Sequence, residues 1–297
     1  MGSLRAHHCL TQLGEHPGLK ISSSGLTLNL STIQTEELKP HEEVIEEAVR
    51  KLTDDIRRDG VVRDPLIVDE ASRVILDGMH RFSALKRLGC RFAPCCILDY
   101  MSPQISVGSW YRTFTVGSAD SVAEKALTGM KLNYSKSRLN PNDDRGSDAI
   151  ILTEDGNQYS LRITDTLERC RIAVGVEKSM VKDGHKVTYL SEPVAIEWLR
   201  SGRANFLIAL PDFTKEIIRE FGSAGVLFPH KVTRHVIPSR PMGTDVPLGL
   251  LTDPGVSYQA VSERFDKLLS ERKLVRRPPG SVINDRRYDE ELLIFSS

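Results

Sequence analysis

The sequence predicts a mixed α/β fold of the α+β class, and three observations carry that prediction. Short apolar runs such as Leu66-Ile67-Val68 and Val74-Ile75-Leu76 are bounded by turn residues, the pattern of short strands. Amphipathic stretches of helical period stand between such runs: Ile45, Ala48, Val49, Leu52 and Ile56 recur every three to four residues, and Gly60 follows. The composition, 40% hydrophobic and 27% charged over 297 residues, is that of a globular chain able to bury a sizeable core.

Taken in order, residues 1–24 show no periodicity and read as a flexible arm. Leu26, Leu28 and Leu30 alternate with polar residues, as in a half-buried strand. The helix after Pro40-His41 comes next, then the two short strands, with a turn near Ala71-Ser72. An Asp77-Gly78 turn leads into a second helix over 80–88, with Phe82, Leu85 and Leu88 on its apolar face and Gly89 past its end. Strands are expected near Phe92–Leu98 and over Trp110–Phe114, completing a first α/β unit over 25–116. Residues 134–148 are polar, contain Pro and Gly, and read as an exposed loop. Strands near 171–176 and 205–210 and helices over 192–201 and 214–223 then form a second α/β unit over 117–245. An extension over 246–297 carries a helix near 257–273. After Pro278-Pro279-Gly280 it becomes a basic, loosely packed tail, in which Arg286-Arg287, like Arg276-Arg277 before it, reads as solvated surface.

Lys plus Arg equals Asp plus Glu at 40 each, which argues against a general polyanion binder and leaves room for a local basic pocket. No apolar stretch approaches the roughly 20 residues that span a bilayer. The first residues, interrupted by His7, His8 and Glu15, do not resemble a secretory signal. Ala6 stands where a myristoylation signal wants Ser or Thr. Five cysteines form no metal-ligand spacing, so reduced, buried thiols in a cytoplasmic protein are expected. Neither the oligomeric state nor a role for 246–297 can be read from the residues.

Residues 74–85 are the most informative stretch. A strand that stops at Asp77-Gly78 and turns directly into a helix leaves the backbone N–H groups of Gly78, Met79, His80 and Arg81 at a positive helix end. Such an end suits phosphate, and His80 and Arg81 add side-chain donors. Read alone, the same residues are equally a connection whose Arg faces solvent.

Gly78, Arg81 and Ala84 form a G-x-x-R-x-x-A pattern after a strand, which resembles the nucleotide-binding motif of the ParB and sulfiredoxin superfamily. Three further segments narrow the resemblance: Lys39-Pro40-His41-Glu42, Ser109-Trp110-Tyr111 and Thr233-Arg234-His235-Val236-Ile237-Pro238. In this order, from about Leu38 to about Pro238, they are similar to the free L-serine kinases. Some members of that family carry a second His where this chain has Met79. The version with Met resembles the siderophore-associated, ATP-dependent members. The resemblance implies a ParB/sulfiredoxin-like nucleotide-binding domain over 25–116 and a second α/β domain that completes the serine site. It also implies phosphoryl transfer from ATP or ADP to L-serine. The product, O-phospho-L-serine, would feed cysteine or 2,3-diaminopropionate and siderophore synthesis. Sulfiredoxin chemistry is disfavoured, because a thioether stands where those enzymes keep a thiolate. The alternative is a ParB-like nucleotide-binding regulator of DNA or a protein partner. Against it, no helix-turn-helix unit or basic surplus follows the first domain.

By resemblance Glu42 is the base that takes the serine hydroxyl proton. Read alone, it is an acidic residue complementing a helix dipole. Asp77 belongs to the catalytic centre as a positioning group or a ligand of the Mg2+ that a nucleotide polyphosphate brings; read alone, it is an ordinary turn Asp. Gly78, Met79, His80 and Arg81 cradle phosphate, Arg81 through a bidentate charge. Thr233, Arg234 and His235 meet the substrate carboxylate. Trp110 closes the pocket, a role it shares with the reading of a core tryptophan.

Overall fold

The computed structural model describes residues 18–138, 149–283 and 285–296. β1 (Leu19–Ser23) and β2 (Leu26–Gln34) form a hairpin. α1 (Glu46–Asp59) follows, with Glu46 and Glu47 in its first turn and Arg57 and Arg58 in its last, which complements the helix dipole. It buries Val49 and Ile56 and ends where Gly60 takes φ 69° and returns its N–H to the Ile56 carbonyl. Ile45 lies just outside the helix and is exposed, so the apolar face begins one turn later than its period predicts.

β3 (Val61–Val62), β4 (Leu66–Asp69) and β5 (Ile75–Asp77) lead to α2 (Met79–Arg87) and β6 (Phe92–Leu98). The first sheet has the order β1-β2-β6-β4-β5. Its centre, β6, is buried at every residue, which explains why Cys95 and Cys96 sit in an unbroken apolar run.

β7 (Ser106–Phe114) belongs to a second sheet. After it come α3 (Ala119–Gly129), β8 (Ser135–Arg138), β9 (Ala149–Thr153), β10 (Asn157–Ser160) and α4 (Thr166–Lys182). β11 (Thr188–Ser191), α5 (Glu192–Arg200), β12 (Phe206–Ile208), α6 (Lys215–Ser223) and β13 (Thr233–Val236) complete this part. The sheet runs β11-β7-β12-β9-β10-β8, and β13 pairs with the first half of β7.

The chain then turns back through β14 (Ser239–Met242), β15 (Val246–Pro247), α7 (Leu248–Thr252) and α8 (Tyr258–Ser270). It ends in β16 (Lys273–Arg277), β17 (Val282–Ile283), β18 (Arg286–Arg287) and β19 (Glu291–Ser296). β15 pairs with β3, α8 hydrogen-bonds to β2 through Ser262 and Tyr258, and β19 lies between β14 and β16. A single apolar cluster runs through all of these parts, from Leu28 to Phe295. No helix among the described residues is long and apolar enough to cross a membrane.

The mixed α/β class is as predicted, and several particulars are corrected. Leu19–Ser23 is a strand where the flexible arm was expected, and residues 1–17 lie outside the described residues. β7, expected in the first unit, pairs with β11, β12 and β13, so the second sheet begins well before residue 117. The polar stretch 134–148 holds β8, and residues 139–148 lie outside the described residues. Residues 171–176 are helical: within α4, Cys170, Ala173, Val176 and Met180 are buried at helical spacing, and Asp165 caps the helix by accepting from Glu168 N at 2.6 Å. The extension is not a loose tail, because Leu292, Leu293 and Phe295 of β19 are buried.

Candidate active site

A cleft of about 480 Å3 opens where the end of β5 and the start of α2 face β13, β14 and the β17–β18 hairpin, a volume suited to a small ligand. All ten residues singled out in the sequence line it: Glu42, Asp77, Gly78, Met79, His80, Arg81, Trp110, Thr233, Arg234 and His235.

The phosphate turn is built as its sequence requires. Gly78 takes φ 101°, and a Cβ there would lie 2.8 Å from Leu66 Cδ2 and 2.9 Å from Arg81 Nη2, so only glycine fits. The first bond of α2 runs from Phe82 N to Gly78 O at 2.8 Å, which leaves Met79, His80 and Arg81 N–H without a partner inside the helix. The Met79 side chain is buried, so only its backbone can serve the cleft. Arg81 donates through Nη2 to Pro65 O at 2.7 Å. That bond corrects the expectation of a free fork, since one arm is already held. His80 Nε2 accepts from Ile45 N at 3.1 Å and its ring meets His230 edge to face. Burial and the Lys231 cation hold His80 below the usual imidazole range.

Glu42 lies on the opposite wall, four residues ahead of α1, in a bridge to Phe228 rather than in a helical turn. Its Oε1 faces Thr233 N at 2.7 Å and the Thr233 hydroxyl, and its Oε2 accepts from Lys231 N at 3.3 Å. Burial raises its carboxyl to about 7, against the Thr233 hydroxyl, the Thr233 and Lys231 N–H groups and the Arg112 charge, all of which favour the ionised form. Asp77 behaves oppositely. Burial favours its neutral form, but Arg240 and Arg81 outweigh that and bring it down to about 2. Arg240 Nη1 stands 2.7 Å from Asp77 Oδ2, and its Nε reaches Glu290 at 2.6 Å. The two carboxyls of one cleft thus differ because Arg240 is bonded directly to Asp77, whereas Arg112, already paired with Glu177, only partly offsets the burial of Glu42.

Two of the expected substrate contacts have protein partners in this structure. The Thr233 side chain is occupied by Glu42 and by His41 Nε2 at 3.0 Å, so it is not free for a carboxylate. His235 bonds through Nε2 to Tyr100 Oη at 2.8 Å, and burial keeps it neutral. Arg234 and Trp110 do come together: the guanidinium lies 5.2 Å from the indole centroid, and Lys231 Nζ lies 5.7 Å from the same ring.

Residues that pattern reasoning left out include His41, His230, Lys231, Arg240, Arg286, Arg287, Asp289 and Glu290. His41 stands inside a recognised segment beside Glu42, a usable signal, and Lys231 lies two residues ahead of another. Arg240, Arg286 and Arg287 had none, because only the docking of β19 between β14 and β16 brings them here. The six Arg and Lys side chains of the cleft outnumber its four Asp and Glu, a balance that suits a polyphosphate. Among the described residues no group of three or more His, Cys, Asp or Glu is arranged to hold a metal. Asp77 alone suffices for a Mg2+ that arrives on phosphate oxygens.

A family profile for the ParB N-terminal domain matches residues 18–106. An ATP-dependent L-serine kinase of Desulfurococcus mucosus is 30% identical over 230 residues, covering 74% of this chain and 89% of that protein. The ADP-dependent L-serine kinase SerK of Thermococcus kodakarensis is 27% identical over 222 residues, covering 73% and 90%. A solved free serine kinase in complex with AMP superimposes with a TM-score of 0.62 at 26% identity, over 75% of this chain and 93% of that one.

Proposed function

The chain belongs to the free L-serine kinase family, and on that premise we propose that it transfers the terminal phosphoryl group of ATP or ADP to the hydroxyl of L-serine. The observation that most supports this reading is one cleft holding two opposed features: the open N-terminus of α2 and, across from it, a carboxyl poised near neutrality at Glu42. A regulator that only binds nucleotide needs the first and not the second.

In this reading the donor's phosphates sit on the N–H groups of Met79, His80 and Arg81, with Arg81, Arg286 and Arg287 countering their charge. Lys231 and Arg234 take the serine carboxylate over the face of Trp110. The serine oxygen bonds to phosphorus as the bond to the nucleotide oxygen breaks, and the serine proton passes to Glu42. Asp77 is the carboxylate at hand for Mg2+, which when bound neutralises phosphate charge. O-phospho-L-serine carries a leaving group on its β carbon. Its use in cysteine or 2,3-diaminopropionate synthesis by β-replacement belongs to the proposal. So does a cytoplasmic setting, supported by four described cysteines that are buried and free.

The test incubates the full chain with Mg2+, L-serine and either ATP or ADP, and looks for phosphoserine by mass spectrometry. Product with either nucleotide is expected. None with both would overturn the proposal in favour of a nucleotide-binding regulator.

A further inference from the structure

We propose that Thr233 and His41 are positioning residues that strengthen Glu42 as a base, through a hydrogen-bond chain completed only when Glu42 carries a proton. The inference deepens the kinase reading and rests on it for its catalytic meaning.

The argument is a count of hydrogens along one line of atoms. His41 is almost fully buried, at 1% exposure. Its Nδ1 stands 2.6 Å from the carbonyl oxygen of Ile75. A carbonyl has no hydrogen to give, so Nδ1 is the donor and carries the ring's proton. In neutral imidazole Nε2 is then bare and can only accept. Nε2 lies 3.0 Å from Thr233 Oγ1, and the sole hydrogen that can satisfy it is the threonine's own. Toward an ionised Glu42 that same hydroxyl is the donor, its hydrogen turned to Oε1. A threonine oxygen with its hydrogen turned to His41 offers Glu42 only lone pairs. An ionised Glu42 therefore competes with His41 for one hydrogen, and one acceptor goes without.

Protonation resolves the competition. When serine gives up its proton, the serine O–H bond breaks and a Glu42 O–H bond forms. Glu42 then donates to Thr233 Oγ1, and Thr233 donates to His41 Nε2. His41 donates in turn to the Ile75 carbonyl. Every member is satisfied once the new Glu42 hydrogen has turned from the serine oxygen to Thr233 and the threonine hydrogen has turned to His41. The proton stays on Glu42 until product leaves and solvent takes it up. An incomplete buried network is costly and a complete one favourable, so the chain pulls toward the protonated base as the phosphoryl group moves.

The groups facing this line are few. Around Glu42 they are the Lys231 and Thr233 N–H groups, the Lys231 ammonium, the Cys170 thiol and the Arg112 guanidinium, which Glu177 pairs at 2.8 Å. Around His41 they are the His235 ring, edge to face at 5.2 Å, and Asp77, itself paired with Arg240.

The sign of one shift decides the matter. Thr233→Val keeps the backbone N–H to Glu42 and removes the hydroxyl. His41→Asn keeps a donor toward Ile75 and removes the Nε2 acceptor. Carbon-13 NMR titration of Glu42 in the full chain needs no turnover and reads its protonation directly. Both variants are expected to lower the Glu42 midpoint, by on the order of one pH unit. The acid limb of kcat/KM should move the same way. The double variant should go no further than either single one. A higher midpoint in Thr233→Val would mean that the hydroxyl is a plain donor to the carboxylate, and an unmoved midpoint in His41→Asn would mean that the chain stops at Thr233. Either result overturns the inference. Failure of the parent chain to make phosphoserine would sink the kinase reading and leave this titration to be judged by itself.

Discussion

Glu42 and Asp77 face the same cleft, yet burial pushes one carboxyl up to about 7 while Arg240 and Arg81 hold the other ionised. Removing the carboxylate with Glu42→Gln should cost at least about a hundredfold in turnover, the lower range for loss of a general base. Nucleotide affinity should change little, which calorimetry with ADP can check. The raised carboxyl also fixes a sign for stability. Its folded value of about 7 exceeds the ordinary 4.5, so its contribution is fully present below the ordinary value and is lost as pH rises through the folded one. The Tm of Glu42→Gln relative to the parent should therefore climb between about pH 5 and about pH 8. A constant difference would mean that Glu42 titrates as if exposed. Arg234→Ala should raise the serine KM about tenfold or more, the usual cost of losing a charged hydrogen bond, while leaving the nucleotide KM near its starting value.

At the scale of elements, the turn from β5 into α2 tolerates no side chain at its glycine. Gly78→Ala meets both a positive φ and Leu66 at 2.8 Å, so a loss of more than about 1 kcal/mol is expected, with weaker nucleotide binding. A thermal melt with and without ADP separates the two effects. This turn was legible in the sequence because Asp77-Gly78 interrupts a β-branched run and a helical period starts at once. β6 was legible for a similar reason, its buried face being both faces. α4 was not. Ile172, Val174 and Val176 give it a strand's composition, and the overriding signal was the Asp165 cap three residues ahead of Glu168. Of the site, the residues inside recognisable segments were readable. The roles of Thr233 and His235 were not, because a hydroxyl or imidazole chooses its partner from the folded neighbourhood. Here the partners are Glu42, His41 and Tyr100.

Across the whole molecule, the last strand is tied to the rest of the fold, through its place between β14 and β16 and through Glu291 to Ser23 of β1. Leu293 is fully buried, and Leu293→Ala should cost about 2–5 kcal/mol, read as a Tm lower by several degrees. Because Arg240 joins Asp77 to Glu290, just before β19, the same variant should also weaken nucleotide binding. A loose tail would do neither. This long-range tie is what local periodicity cannot reveal: sequence distances of 163 and 50 residues close on one guanidinium.

The β13–β7 pairing bears on how small molecules come and go. Four residue pairs stitch β13 to β7, and β7 is itself laced to β11 and β12, so the wall bearing Thr233 and Arg234 is a fixed jamb. The β17–β18 hairpin across from it pairs with no other strand: two residue pairs and the hydrogen bonds between Gly280, Ser281 and Tyr288 close it among the described residues. If the cleft serves the proposed reaction, small molecules are therefore expected to pass on the side of that hairpin rather than through the β13–β7 wall.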